Sequence, residues 1–117
     1  MTASPPPTSI LHQLMAVIED RRANPPAKSY TTSLFQGGVE KIGGKIVEEA
    51  AEVVEAAGEP GDQGRTHFIY ESADLLYHLF VMLGYKGVAL AEVETELARR
   101  FGMSGLDEKA ARPTKAE

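Results

Sequence analysis

At 117 residues the chain has the length of one domain, enough to close a modest core, and it contains no cysteine, which rules out disulfides and thiolate-held metals. A net charge of −5 argues against attachment to nucleic acid through a basic surface, since that mode needs clustered Lys and Arg. It leaves room for a nucleotide whose phosphates meet acidic side chains across divalent cations. The opening MTASPPPTS lacks the basic start and apolar run of a secretory signal, and LLYHLFVML (75–83) is about half the length of a membrane span. The expectation is a soluble cytoplasmic protein with no membrane partner.

Residues 1–8, with consecutive prolines, cannot form a helix and are expected to be disordered. Thr8 or Ser9 is placed to cap a helix over about 9–23, whose Ile10, Leu11, Leu14, Val17 and Ile18 recur at helical spacing. Asn24-Pro25-Pro26 ends it, and KSYTTSLFQGG (28–38) reads as a connecting loop. A second helix is predicted from about Val39 to Ala57, then a turn-rich loop, GEPGDQG (58–64). A third helix spans about Arg65 to Tyr85. After Gly87 a fourth runs from about Val88 to Phe101, with Gly102 suited to cap its C-terminus. Residues 103–117 form a polar tail, partly ordered through a short turn. No segment alternates as a strand does, so the fold class is all-α, with the folded domain at residues 9–102.

In the second helix Lys41, Lys45, Glu48, Glu49 and Glu52 fall within an arc of roughly 100°. Val39, Ile42, Ile46, Ala50, Val53 and Ala57 fill the adjoining arc, giving a core stripe beside a charged one. Gly43-Gly44 costs about 1–2 kcal/mol relative to two alanines. The pair marks either a close backbone approach or a break that starts the carboxylate helix near Lys45. The third helix is apolar on nearly every side, and a helix of that kind is normally buried. Four helices of this size cannot surround one of their number, so homo-oligomerisation near helix three is expected, with a homodimer preferred. The polar stripe on its central turns is His67, Glu71, Asp74 and His78.

Three glutamates on one helix face are in most proteins a solvated stripe, and Lys45 and Glu49 can make an ordinary i,i+4 pair. Helix three changes the balance. An unpaired buried carboxylate costs several kcal/mol or takes up a proton, and Arg65 and Lys86 stand too far along the helix to neutralise both Glu71 and Asp74. Two helices that each offer acids one turn apart can build a cage of oxygen ligands for a hard cation. The absence of Cys and scarcity of His point away from zinc.

EEAAE (48–52) followed by ESAD (71–74) resembles the E-E-x-x-E … E-x-x-D signature of the MazG-like all-α nucleotide pyrophosphatases. Residues 29–57 and 70–113, with SYT, KIVEEAAE, ADLLYHL and SGLDEKAARP in that order, are similar to the phosphoribosyl-ATP pyrophosphatases. That resemblance implies a four-to-five-helix MazG-like bundle completed by homodimerisation. It also implies hydrolysis of phosphoribosyl-ATP to phosphoribosyl-AMP and pyrophosphate, the second step of histidine biosynthesis. The chain looks like the stand-alone form, without the cyclohydrolase domain fused to some members. The alternative substrate class is (deoxy)nucleoside triphosphates in general, as in house-cleaning enzymes of the same superfamily.

Such a reaction needs Mg²⁺, or Mn²⁺ in its place, to neutralise the triphosphate and activate a water. Glu49, Glu52, Glu71 and Asp74 are the expected metal ligands. Glu48 and Glu49 are the catalytic candidates, Glu48 as a further ligand or as the base. Lys41 and Lys45 are candidates for phosphate contact, and Ser29, Tyr30 and Thr31 for phosphate or ribose contact. Arg99, Arg100, Lys109 and Arg112 could close over a phosphoribosyl group, although each alone is an ordinary surface charge. His78 is expected to fix a ligand carboxylate by a hydrogen bond behind the metal.

Overall fold

The computed structural model describes residues 9–101, so Gly102, Lys109, Arg112, SGLDEKAARP and the segments 1–8 and 103–117 lie outside the described residues. The described chain is helical: α1 (Ile10–Ala23), α2 (Tyr30–Ala57), α3 (Gly61–Lys86) and α4 (Leu90–Arg100). Ser9 caps α1, its hydroxyl accepting from the His12 N–H at 3.2 Å. Arg21 and Arg22 in the last turn suit the negative end of the helix.

The segment expected to be a loop, residues 28–38, is instead mostly the first turns of α2. Ser29 accepts from the Thr32 N–H at 3.3 Å and starts the helix. Thr31, Thr32 and Leu34 are all buried, and Leu34 is fully so. Burial of that face outweighs the weak helical preference of consecutive threonines. Of the two readings of Gly43-Gly44, the break does not lie there: the helix kinks at Gly38, with φ of 66° and ψ of −162°. Glycine alone adopts that backbone at little cost, and a Cβ there would also stand 3.2 Å from the Tyr85 hydroxyl. Gly43 only rests against the Met82 methyl, and nothing crowds Gly44. Helix α3 likewise begins at Gly61, ahead of the expected Arg65, with Pro60 at its N-cap and Asp62 in its first turn.

Helix α2 packs mainly on α3, and α1 lies across both. Met15, Ile18, Leu34, Ile42, Phe80, Val81 and Leu90 form the core. A fully buried side chain of this kind contributes about 1.5–3 kcal/mol relative to exposure. Arg22 stacks over the rings of Phe35 and Tyr85 and donates to the Tyr85 carbonyl at 3.4 Å, tying α1 to α2 just before the Gly38 kink and to the last turns of α3. Helix α4 turns away from α3 by 110° and is tethered to α1 by His12 and Glu94, 3.0 Å apart. Among the described residues no single helix is long and apolar enough to cross a membrane.

Candidate metal and nucleotide site

The α2–α3 seam carries the acids. Successive turns of α2 present Glu49 and Glu52 to α3, which answers with Glu71. One carboxylate oxygen of each lies within 4.8 Å of the others. Oxygen ligands at about 2.0–2.6 Å from a hard cation stand at most some 4–5 Å apart, so one cation fits this set. Glu49 and Glu71 are only 4% and 6% exposed, and among the described residues their Oε2 atoms are buried without a hydrogen-bond partner. A buried, orphaned carboxylate oxygen is costly. Two of them facing a third acid are the features of a cation site rather than of a solvated stripe.

The electrostatics follow from that crowding. Burial, then the hydrogen bond with Glu71 and the charges of Asp74, Glu52 and Glu71, push the Glu49 carboxyl up to about 7. Glu52 is also raised, first by its hydrogen bond with Glu71 and then by burial. For Glu71 burial favours the neutral acid, but hydrogen bonds from Glu52 and Glu49, with the charge of His67, outweigh it and lower its pKa. The acids thus hold a proton between them close to neutral pH, and a divalent cation can take that proton's place.

The remaining expected residues divide. Asp74 is half-buried and close enough to add to the charge on Glu49, but it stands outside the 4.8 Å set. Glu48 points outward, 55% exposed, and pairs with Lys45 at 3.5 Å in place of the expected Lys45–Glu49 pair. Lys45 remains beside the cluster, within the field of Tyr30, Glu48 and Glu49. Lys41 donates to the Ser33 carbonyl at 3.3 Å, spanning the kink. Ser29 spends its hydroxyl on the α2 cap. Thr31 is 1% exposed and bonded to the Tyr77 hydroxyl, so it holds the first turn of α2 against α3. Tyr30 keeps a half-exposed ring, and its hydroxyl lies 2.8 Å from His78 Nε2. Arg99 and Arg100 both bond Glu96 on their own helix.

His78 corrects the sequence reading in its partners. It touches the Asp74 main-chain carbonyl, 2.9 Å from Nδ1, and not a ligand carboxylate. The residue that does hold a carboxylate is His67, which the sequence placed in the polar stripe without a role. Its Nε2 is 3.3 Å from Glu71, and its Nδ1 is 2.9 Å from Glu59. The hydrogen bond with Glu59 first, and then the two acidic charges, raise its pKa. The i,i+4 spacing of His67 and Glu71 was a legible signal; the Glu59 contact depends on how the α2–α3 turn closes. There Gly64 sits so tightly that a Cβ would meet the Glu59 carbonyl at 2.3 Å.

Comparison with known proteins finds relatives over most of the chain. The family model described as phosphoribosyl-ATP pyrophosphohydrolase matches residues 11–101, which span the whole acid site. A Rhodopirellula baltica protein named phosphoribosyl-ATP pyrophosphatase is 53% identical over 107 residues, covering 92% of this chain and 89% of that protein. Proteins of the same name from Geotalea daltonii and Rhizorhabdus wittichii are each 50% identical. The first covers 88% of this chain and 94% of its own length. The second covers 91% and 97%.

Proposed function

The chain belongs to the phosphoribosyl-ATP pyrophosphohydrolase family, and from that premise we propose that it hydrolyses phosphoribosyl-ATP to phosphoribosyl-AMP and pyrophosphate in histidine biosynthesis. The observation that carries the chemistry is the pair of buried, orphaned oxygens on Glu49 and Glu71, converging with Glu52 across the α2–α3 seam. These three would hold the divalent cation, and Asp74 would complete the negative field around it. The donors are all carboxylate oxygens, which favours Mg²⁺, with Mn²⁺ able to substitute. When bound, the cation supplies charge neutralisation for the triphosphate and lowers the pKa of an attacking water.

The protein's own residues do the rest. Glu49, buried within the acid set, is placed to accept the proton of the attacking water. Glu48 is too exposed, and too engaged with Lys45, to be the better base. Lys45 lies at the edge of the acids where a phosphate oxygen would need a donor, while Lys41 serves the kink. His67 fixes Glu71 from behind and leaves its second oxygen to the site.

A second copy of the chain covers the outer face of α3, where Ile69 is 57% exposed and Leu76 and Leu79 about 40%. An apolar face of this extent is unusual on a monomer. Replacing Leu76 with Asp should reduce the mass measured by light scattering; an unchanged mass would remove α3 from the interface.

The activity is tested by measuring pyrophosphate release from phosphoribosyl-ATP with Mg²⁺, and then with EDTA, beside a panel of dNTPs. Fast release confined to phosphoribosyl-ATP and abolished by EDTA is expected. Equal turnover of dNTPs would overturn the substrate, and release insensitive to EDTA would overturn the metal.

A further inference from the structure

Tyr30 and His78 stand 48 residues apart in sequence, and together with Asp74 they form a hydrogen-bonded chain with a direction. The Asp74 carbonyl can only accept, so the proton on the His78 ring sits on Nδ1. In the neutral ring Nε2 then carries a lone pair and must accept from Tyr30, 2.8 Å away. The ring has no freedom to exchange these roles. His78 is 3% exposed, packed edge-on to both Tyr30 and Tyr77. The neighbouring Thr31–Tyr77 bond pins the same turn of α2 to the same turn of α3.

The geometry points to His78 as a positioning residue that commits the Tyr30 hydroxyl proton inward, leaving Tyr30 Oη as a hydrogen-bond acceptor toward a sugar hydroxyl of the nucleotide. This inference rests on the function proposed above. It narrows the sequence reading of Tyr30, which allowed phosphate or ribose. Phosphate oxygens at neutral pH are acceptors and cannot pair with an acceptor, whereas sugar hydroxyls can donate. Burial and the nearby acids raise the Tyr30 pKa, which keeps the proton on the phenol. Lys45, close enough to Tyr30 for each to affect the other's charge, supplies the opposite polarity for phosphate. Donor and acceptor side by side can read the junction between a sugar and its phosphate.

Two arms test this. In protein labelled with nitrogen-15, the His78 ring, identified by its loss in His78→Gln, should show the Nδ1-protonated tautomer. A ring protonated on Nε2 would overturn the inference whether or not the enzyme is active. In kinetics, Tyr30→Phe should raise KM for phosphoribosyl-ATP by about five- to tenfold with kcat little changed, the size of one neutral hydrogen bond. His78→Asn retains a donor in the Nδ1 position but cannot reach Tyr30, and should reproduce that KM. His78→Gln retains an acceptor in the Nε2 position and should restore most of it. A purely structural histidine predicts no such split between the two amides.

Substrate analogues that each lack one sugar hydroxyl locate the partner. For one of them wild type should lose what Tyr30→Phe loses, with no further loss in the variant. If Tyr30→Phe is as sensitive as wild type to every hydroxyl deletion, the acceptor serves a water and the sugar contact is refuted. If wild type fails to turn over phosphoribosyl-ATP at all, the proposed function falls. The same comparison by equilibrium binding of ATP and its 2′- and 3′-deoxy forms would then still decide the contact.

Discussion

The two faces of α3 run against the usual order of a soluble helix. Toward α2 it buries Glu71 and His78, while on the outside it leaves Ile69 more than half exposed. Neither face is explained by the stability of a single chain. Buried carboxylates cost more than an apolar filling of the same volume, and exposed large apolar side chains forgo burial. On the proposed function the inner face trades stability for a cation site, and the proposed second copy would cover the outer face. On that reading the charged seam is a functional strain and the apolar face an unfinished core. The two should therefore respond oppositely to substitution.

The largest effect belongs to the inner face. Glu49→Gln or Glu71→Gln should lower pyrophosphate release by on the order of a thousandfold, because each removes a ligand charge from the metal set. In EDTA the Glu49→Gln protein should nevertheless melt at a higher temperature than wild type at pH 8, since it deletes a buried charge. A mutant that is both active and less stable would mean that Glu49 is an ordinary structural acid.

The pH dependence sharpens the same point. Glu49 in the folded chain titrates at about 7, against 4.5 when unperturbed. Between these values the folded state holds the extra proton, so metal-free stability should fall as pH rises from 4.5 and level off above 7. The loss from Glu49 alone should be no more than about 3 kcal/mol; the raised pKa of Glu52 works in the same direction, whereas the lowered pKa of Glu71 acts only below pH 4.5, outside this window. Mg²⁺ binds the ionised form, so its stabilisation should grow over the same window. Thermal melts at fixed pH with Mg²⁺ and with EDTA measure both slopes. A metal shift independent of pH would separate the cation from Glu49.

Smaller effects test the supports. Gly38→Ala forces a side chain into a positive-φ kink beside the Tyr85 hydroxyl and should cost about 1–3 kcal/mol in urea unfolding. Ser29→Ala removes only the α2 cap and should cost about 1 kcal/mol. Because α2 carries both Tyr30 and the acids, Gly38→Ala should also raise KM, while Ser29→Ala should leave it close to wild type. A large KM effect in Ser29→Ala would restore the serine to the substrate site.

Residue spacing alone revealed much of this molecule. Period 3.6 placed the helices, the charged stripe of α2 and the polar stripe of α3, and chemistry made buried acids without nearby cations a metal candidate. Those inferences need only local geometry, which sequence separations of three and four residues encode. What the tertiary structure alone decided is which polar atoms meet. The Gly38 kink, the helical turns at 30–37, the His67–Glu59 contact and the Tyr30–His78 pair depend on how the chain folds back and on the register of α2 against α3. That register goes with the packing of Leu34, Ile42 and Val81 in the core, beside the buried Thr31–Tyr77 bond. A buried histidine or carboxylate in the sequence announces that it needs a partner, but its identity waits on a fold that brings residues 46 and 48 positions apart within 3 Å.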